Sequence, residues 1–350
     1  MAFGLPSLED RAAWLGRIGE PGAHDSIASG SRILLDVDAI EAPVGSPGSH
    51  RGWLRVAAWN AERCRYLDAS LELLARVDAD VVLLSELDSG MARSGNHDVP
   101  RRLAEGLGLG GAFGVEFVEL SIGDAADVVS ADASGMTTND RGLHGNAVLA
   151  RGGVRDAAVL RLDEGGDWFT ADRGQPRVGG RMAVAGVVTI AGDVDLTVVS
   201  FHLESRSTAD ERGAQFARLL AAVDDRFGSG PCVLGGDANT FGVAIAELAD
   251  RAAVQRMRCE EPTRFSWPVG HEPLFEEAAR RGFSWIDSNV VAPTTNHDAG
   301  GLPDHVPLHL DWLLTRGLEA RRPAVVPAVD GRGSPLSDHE LVAVSVRPST

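Results

Sequence analysis

Apolar runs and amphipathic stretches alternate along the chain from Trp53 onward. WLRVAAWN predicts a strand, YLDASLELLARV an amphipathic helix, and DADVVLLSEL a buried strand. Further strands are predicted at GAFGVEFVEL, NAVLAR, MAVAGVVTI, VDLTVVSFHL, PCVLGGD, SWIDSNVV, LHLDWLLT and ELVAVSVR, and further helices at VPRRLAEGLG, DERGAQFARLLAAVDDRF and PLFEEAARRG. Because several strands follow one another without a helix, the pattern favours two packed mixed sheets with outer helices over a doubly wound sheet.

The first part of the chain has a different pattern. A short amphipathic helix is predicted at 7–18, and the stretch APVGSPGSHRG predicts a loop because it is rich in Gly and Pro. We therefore divide the chain into an N-terminal extension, 1–50, and a main domain, 51–350. Within the main domain, SIGDAADVVSADASGMTTNDRGLHG is expected to be a long surface loop, either solvated or at the rim of a cleft.

Composition limits the class of protein. The hydrophobic fraction of 44% and the charged fraction of 24% are typical of globular proteins. No apolar run approaches the roughly 20 residues that a transmembrane helix needs, and the first residues lack the pattern of a secretory signal. A soluble cytoplasmic protein is expected. The 3 cysteines are widely spaced, which fits neither a disulfide framework nor a CxxC metal site.

The charge of the chain bears on its partners. The formal net charge is −17, and every basic residue is Arg. Proteins that bind nucleic acid usually present a basic face, which releases counterions from the phosphate backbone. The acidic balance therefore weakens the expectation of a general nuclease without excluding a local basic cleft.

Polar residues interrupt the apolar runs at a few places, mostly at strand ends. A buried carboxylate or imidazole needs a partner or a metal, because burying it alone costs several kcal/mol. Each position alone has a plain alternative, such as a solvated strand end, a cap or a turn residue. The interrupting residues are Asn60, Glu86, His202, Asp237, Asn239, Asp311, Asp338 and His339.

Taken together, these residues supply hard oxygen ligands and two imidazoles. Oxygen ligation suits Mg²⁺ or Mn²⁺ and does not suit structural zinc. Phosphoryl transfer needs a cation on the phosphoryl oxygens, a positioned water and donors for the developing charge. The set is thus typical of an enzyme that hydrolyses phosphate esters.

The order of the motifs resembles the endonuclease/exonuclease/phosphatase superfamily, which includes deoxyribonuclease I. The matching blocks are AAWN, LLSELD, HGNAVLAR, GGRMAV, SFHLES, LGGDANT, HLDWLL and PLSDHE, over about Trp53 to Arg347. The resemblance implies an α/β fold, a four-layer α/β/β/α sandwich of two packed mixed β-sheets with outer helices. It also implies that 51–350 is the catalytic domain of a metal-dependent phosphodiesterase, nuclease or phosphatase.

The resemblance also implies a role for each site residue. Glu86 would ligate the metal with Asn60 and Asp338. Asp237 would orient or deprotonate the attacking water, and Asn239 would fix the water or the phosphate. His339 would contact the scissile phosphate and would be oriented by Asp311. His202 would stabilise the phosphate or protonate the leaving group.

Substrate contacts are expected from Asn146 in GNAVL and from Arg181 and Arg212 beside motif blocks, since Arg can bind a phosphate bidentately. The partner is a phosphate-ester substrate, with nucleic acid, a lipid headgroup or a small phosphoester left open. The number of metals and the identity of the general base are open too. The alternative from another class is a non-catalytic binding module on the same fold.

Overall fold

The computed structural model describes residues 4–44, 52–163, 165–172, 174–190, 194–244, 247–248, 250–295 and 306–349. Several strands follow one another here without an intervening helix. The helices are α1 (Leu8–Leu15), α2 (Ala23–Gly30), α3 (Leu67–Val77), α4 (Val99–Leu107), α5 (Ala125–Ala133), α6 (Ala209–Phe227), α7 (Arg251–Glu260) and α8 (Leu274–Arg280). The strands are β1 (Val37–Ile40), β2 (Leu54–Arg63), β3 (Val81–Ser89), β4 (Gly110–Glu119), β5 (Leu143–Ala150), β6 (Arg155–Arg161), β7 (Arg177–Gly179), β8 (Met182–Ile190), β9 (Val194–His202), β10 (Cys232–Asp237), β11 (Asp311–Arg316), β12 (Leu318–Val326) and β13 (Leu341–Pro348).

The strands form two mixed sheets. The first sheet has the order β1-β4-β5-β3-β2-β13-β12, and β7 pairs with β4. The second has the order β11-β10-β9-β8-β6. Each contains one parallel pair, β2 with β3 and β9 with β10, and its other pairs are antiparallel. In a parallel pair both strands end at the same edge, so each sheet brings two strand ends together.

Alternate side chains of the central strands enter different cores, as the pleat requires. In β2, Val56 and Ala58 face the core between the two sheets, whereas Ala57 and Trp59 face a core covered by α3 and α4. The outer face of the second sheet is covered in the same way by α6 and α8. The expected four-layer α/β/β/α sandwich is therefore confirmed.

The two sheets approach each other closely at Gly235. A Cβ atom built there would lie 2.7 Å from Leu83 Cδ1 and 2.8 Å from Ala58 Cβ, both in the opposite sheet. Nearby, Ser200 Oγ in β9 donates a hydrogen bond of 2.8 Å to the carbonyl of Leu84 in β3. Glycine, alanine and this hydroxyl group thus set a short spacing between the sheets just before the strands end.

The N-terminal extension belongs to the first sheet. Its strand β1 pairs with β4, and His24 of α2 accepts a hydrogen bond of 3.2 Å from the Gly179 amide in β7. The boundary at residue 50 stays a prediction. In the described part of the chain, no helix is long and apolar enough to cross a membrane.

Two local predictions are wrong. The segment expected to be a long surface loop contains α5, which begins with a capping box in which Asp124 and Asp127 each bind the other's backbone amide. The stretch SWIDSNVV, expected to be a strand, forms only an isolated bridge between Ser284 and Thr315. Its turns direct the Asn289 amide to the β11 backbone at Leu313, so the segment supports the sheet edge from outside.

Candidate active site

The strands that carry the predicted polar residues meet at one edge of the two sheets. His202 and Asp237 end the parallel strands β9 and β10 and are partners in register. Asp311, at the start of β11, is the partner of Asp237 on its other side. Asn60 and Glu86 lie near the ends of β2 and β3 in the first sheet. Residues far apart in sequence thus come together because the strand ends coincide.

Asn60 connects the two sheets at this edge. Its Nδ2 donates hydrogen bonds of 3.1 Å both to Glu86 Oε1 and to Asp237 Oδ2. Its Oδ1 accepts one of 3.1 Å from the Glu62 backbone amide. One buried amide therefore holds two carboxylates from different sheets side by side. Its predicted role as a metal ligand stays a prediction, since the oxygen is engaged by the backbone here.

His339 forms a pair with Asp311. Its Nδ1 lies 2.8 Å from Asp311 Oδ2, which also accepts a hydrogen bond of 2.7 Å from Thr294 Oγ1. Its Nε2 points toward Asp237 Oδ2 at 3.6 Å. Burial lowers the pKa of His339, but the Asp311, Asp237 and Asp338 carboxylates raise it well above its ordinary value. The surrounding carboxylates therefore favour the protonated ring, and the bond to Asp311 turns Nε2 toward the site.

Asp237, Asp311 and His339 also have ligand atoms within 4.8 Å of one another, the spacing of a metal site. We interpret this trio as the hydrogen-bonded Asp311–His339 pair beside Asp237, because Asp311 Oδ2 is already engaged by both His339 and Thr294. A carboxylate that binds one ring nitrogen orients the other toward its target.

His202 lies on the opposite side of Asp237. Its Nε2 is 3.5 Å from Asp237 Oδ2 and 3.9 Å from Glu86 Oε1. Its Nδ1 is 3.0 Å from Arg181 Nη1 and 3.8 Å from Glu116 Oε2. Burial and the positive charge of Arg181 lower the pKa of His202 to about 4. The surroundings of the two histidines beside Asp237 thus shift their pKa values in opposite directions.

Asp237 and Asn239 are fixed by the turn that follows β10. Asp237 Oδ1 accepts a hydrogen bond of 2.8 Å from the Asn239 backbone amide, and Asn239 Nδ2 donates one of 2.9 Å to the Leu203 carbonyl. Asn239 has a φ of 50°, a left-handed conformation that Asn tolerates better than most residues. Burial raises the pKa of Asp237. Asp237 Oδ2 remains directed at the space between the histidines.

Three carboxylates, those of Glu62, Glu86 and Asp338, lie close to Asn60. Glu62 Oε2 accepts a hydrogen bond of 3.1 Å from the Asp338 amide. Burial and the nearby Asp338 and Glu86 carboxylates raise the pKa of Glu62 to about 7. The positive charges of Arg65 and Arg63 partly offset this rise. Burial also raises the pKa of Asp338, with Glu86 and Asp237 adding to the effect. Carboxylates that repel one another in a buried space fit a hard divalent cation.

Glu62 was not among the residues predicted from sequence. It follows Asn60 by two positions at the end of β2, and that spacing could have identified it. Glu116 was missed as well. It is fully buried in the middle of β4, where a carboxylate within GAFGVEFVEL is as unusual as Asp311 in its own strand.

Of the predicted substrate contacts, Arg181 lies next to the site. Its Nη1 donates to Glu116 Oε1 at 2.6 Å and its Nε to Glu204 Oε2 at 2.9 Å. The same guanidinium group contacts His202. Asn146 Nδ2 donates to the Met182 carbonyl at 3.1 Å and so joins the two sheets. Their contact with substrate stays a prediction.

Arg212 is not brought to the site. Its Nε and Nη2 bind the Glu272 carboxylate at 3.2 and 2.7 Å, and its Nη1 donates to the Ser207 carbonyl at 2.7 Å. Both side chains of the ion pair are fully buried. Glu272 also accepts a hydrogen bond from the Gly242 amide. Arg212 therefore holds the loop after β10 against α6, and we expect a structural role.

Replacing Arg212 by Ala is expected to destabilise the protein by about 3–5 kcal/mol, because Glu272 would remain buried without its cation. The free energy of unfolding in urea measures this. The double variant Arg212→Met/Glu272→Leu removes both charges at similar volume and is expected to recover most of the loss. A loss below about 1 kcal/mol in Arg212→Ala would contradict the structural role.

The comparisons with known proteins agree with this architecture. The catalytic domain of human Nocturnin with bound sulfate matches with a TM-score of 0.55 and 17% identity over 91% of this chain and 98% of its own. A Beutenbergia cavernae endonuclease/exonuclease/phosphatase matches with a TM-score of 0.52 and 19% identity over 85% of this chain and 72% of its own. A Bacteroides vulgatus endonuclease/exonuclease/phosphatase gives 0.51 and 14%, over 85% and 99%.

At these identities the likeness establishes the fold alone. Among curated protein sequences there is no significant match. The sequence itself, however, matches the model of the Endonuclease/Exonuclease/phosphatase family over residues 57–339. That range contains every residue of the site described above, from Asn60 to His339. The chain belongs to the endonuclease/exonuclease/phosphatase family.

Proposed function

We propose that the protein is a divalent-metal-dependent hydrolase of phosphate esters. One observation carries the proposal: the Asn60 amide holds the Glu86 and Asp237 carboxylates together beside the Asp311–His339 pair. This arrangement offers adjacent places for a cation, a water and a phosphoryl oxygen, which are the parts that phosphoryl transfer requires.

The carboxylates of Glu62, Glu86 and Asp338 would hold Mg²⁺ or Mn²⁺. When bound, the cation would offset charge on the phosphoryl oxygens. Asn60 keeps Glu86 in position through its hydrogen bond of 3.1 Å. The sequence motifs support Glu86 and Asp338 as ligands, and the mutual repulsion of the carboxylates supports adding Glu62. Neither observation distinguishes Mg²⁺ from Mn²⁺ as the bound ion.

Asp237 would orient the attacking water with Oδ2, which accepts a hydrogen bond from Asn60 Nδ2, whereas Oδ1 is held by the Asn239 amide. His339 would donate its Nε2–H to a phosphoryl oxygen, because Nδ1 is bound to Asp311. His202 would hold the phosphate from the other side, with Arg181 and Glu116 fixing its ring. These residues would position the water for attack in line with the leaving group and would offset the charge that develops on the phosphate.

Replacing Glu86 by Gln is expected to lower the affinity for Mn²⁺ by at least about tenfold, since a neutral amide replaces a charged ligand. Calorimetric titration of the metal-free protein measures this. The matched control is Glu105→Gln, an exposed glutamate in α4, which should bind Mn²⁺ like wild type. Absence of Mn²⁺ binding in wild type and variant alike would favour a non-catalytic module.

Activity is tested separately, on 4-nitrophenyl phosphate, bis(4-nitrophenyl) phosphate, and single- and double-stranded DNA and RNA, each with Mg²⁺ or Mn²⁺. Hydrolysis of any of these, lost on chelation, is the expected result. A folded protein that is inactive on all of them would contradict the proposal. Robust cleavage of nucleic acid at moderate salt would identify a nuclease despite the net charge of −17. The cytoplasmic location stays a prediction.

A further inference from the structure

Helix α5 is held to the protein mainly by a charged group. Its buried residues are Asp127 and Ala131, whereas Val128 and Val129 are 40% and 68% exposed. Burial of apolar surface therefore contributes little to the position of this helix. Asp127 lies in the first turn and is fully buried, so its contacts decide how α5 docks.

Asp127 binds groups that belong to other parts of the chain. Its Oδ1 accepts a hydrogen bond of 3.0 Å from Arg65 Nη2 and lies 3.3 Å from Arg63 Nε. Its Oδ2 accepts hydrogen bonds of 3.2 Å from Arg93 Nη1 and of 2.7 Å from Gln175 Nε2. Hydrogen bonds between charged groups are the stronger kind. This one carboxylate thus joins α5 to the segment at the end of β2.

The two arginines of that segment also face Glu62. Arg65 Nη1 lies 3.7 Å and Arg63 Nη1 lies 4.0 Å from Glu62 Oε1. These distances exceed the hydrogen-bond range, whereas the contacts with Asp127 are shorter, at 3.0 and 3.3 Å. Glu62 and Asp127 therefore compete for the same two cations, and Asp127 holds them more closely.

Among the described residues, Glu62 and Asp127 are the acids that pair with Arg63 and Arg65. Asp124 also lies near these arginines, but its Oδ1 accepts hydrogen bonds from backbone amides in the first turn of α5. Loss of the Asp127 carboxylate would therefore leave Glu62 as the acid nearest to both guanidinium groups.

The other arginines nearby have acids of their own. Arg93 contacts Asp88 and Glu119 at 2.8 and 3.1 Å, besides its contact with Asp127. Arg177 Nε lies 2.9 Å from Glu119 Oε1. The competition between the two acids thus concerns the pair of arginines at the end of β2.

The backbone at the end of β2 makes Glu62 depend on these contacts. Glu62, Arg63 and Cys64 all have left-handed conformations, with φ of 43°, 69° and 51°. Such conformations persist only where the surrounding structure holds them. The Asp338 amide donates a hydrogen bond of 3.1 Å to Glu62 Oε2, and Arg63 is held by Asp127. The position of Glu62 is therefore determined in part by a residue of α5.

We propose that Asp127 is a positioning residue for the Glu62 carboxylate. By holding Arg63 and Arg65, it leaves Glu62 Oε1 available to a divalent cation. Docking of α5 and binding of the cation therefore favour each other, and linkage makes the effect reciprocal. This inference rests on the proposed function, in which Glu62 is a metal ligand, and it makes a surface helix part of the control of that site.

Calorimetric titration with Mn²⁺ tests the competition. Asp127→Asn is expected to weaken binding about threefold or more, the effect of one partly exposed ion pair that forms between the arginines and Glu62. Arg65→Gln is expected to strengthen binding about threefold, and Asp127→Asn/Arg65→Gln to restore the wild-type affinity. In Glu62→Gln, the further change Asp127→Asn should have no effect, because the carboxylate that the arginines block is gone.

The matched control is Asp132→Asn, an exposed aspartate of the same helix, which should bind Mn²⁺ like wild type. An unchanged affinity in Asp127→Asn would overturn the inference. A loss of the same size in the Glu62→Gln background would overturn it too, since the effect would then come from net charge alone. If Asp127→Asn does not fold, Arg65→Gln tests the same competition with the contacts of Asp127 to α5 left in place.

Hydrogen exchange of the α5 amides gives a second measurement that requires no turnover. Without metal, Asp127→Asn should speed exchange about tenfold or more, and Asp132→Asn should not. Saturating Mn²⁺ should slow exchange about threefold in wild type and leave Glu62→Gln unchanged. Exchange in Asp127→Asn at the wild-type rate would contradict the role of this residue. Absence of Mn²⁺ binding by wild type would instead overturn the proposed function, and this inference with it.

Discussion

Replacing Asp237 by Asn is expected to lower kcat about a thousandfold and to leave the fold intact. The Asp237 Oδ2 atom lies 3.1 Å from Asn60 Nδ2, 3.5 Å from His202 Nε2 and 3.6 Å from His339 Nε2. An amide has the same shape but cannot take up a proton, and its NH₂ group would meet donors. A positioned proton acceptor contributes about 10²–10⁴-fold to a rate.

Steady-state kinetics on bis(4-nitrophenyl) phosphate in Mg²⁺ measure the effect, and thermal unfolding reports on the fold. Asp80→Asn is the matched control, since Asp80 is equally buried but lies before β3, where it accepts a hydrogen bond from the Arg55 amide. The control is expected to keep the wild-type kcat even where stability falls. Turnover of Asp237→Asn within tenfold of wild type would refute the role given to Asp237.

Replacing His339 by Gln is expected to lower kcat by about 10²–10³-fold. The ring turns Nε2 toward Asp237 Oδ2 at 3.6 Å while Nδ1 binds Asp311, and Gln offers a neutral donor that Asp311 cannot orient in the same way. Donors preorganised toward the developing charge contribute about this much in other enzymes. The pH dependence of kcat, measured beside wild type, reports whether a positive group has been lost.

A double-mutant cycle tests whether Asp311 acts through His339. Asp311→Asn should lower kcat as well, and the double variant should lose little more than His339→Gln alone, because the carboxylate acts through the ring. His24→Gln serves as the control, because His24 is buried in α2 and its ring nitrogens pair with Asp25 and Gly179. Additive losses from Asp311→Asn and His339→Gln would contradict their action as a unit.

The fold could be predicted because each strand and helix shows its hydrophobic pattern within a few consecutive residues. Buried strands such as VVLLSEL and PCVLGGD end in polar residues, and the order of strands and helices favours two packed mixed sheets over a doubly wound sheet. The proximity of Asn60 and Glu86 follows from the same pattern, since their parallel strands end at a common edge. Their meeting with Asp237 depends on how the two sheets pack on each other. The motif resemblance supplied the pairing of Asp311 with His339, which the spacing of these residues alone could not.

The residues that sequence analysis missed depend on contacts distant in the chain. Asp127 lies in a segment expected to be a loop, and its partners Arg63 and Arg93 belong to other elements. A capping box of two aspartates is a weak signal next to so many Gly, Ser and Asp residues. Arg212 was misleading for the opposite reason. It stands near a motif, but its partner Glu272 is sixty residues further on and lies behind the second sheet.

The close approach of the sheets at Gly235 makes the reaction geometry a property of the interior. Glu86 belongs to one sheet and Asp237 to the other, so the gap between them is as wide as the layer of side chains beneath allows. Protein interiors are as dense as organic crystals and resist compression and expansion. The packed side chains beneath therefore hold the distance between Glu86 and Asp237 nearly constant. In the proposed hydrolase, substrates would have to fit a gap of fixed width, and selectivity would depend on the residues at its opening.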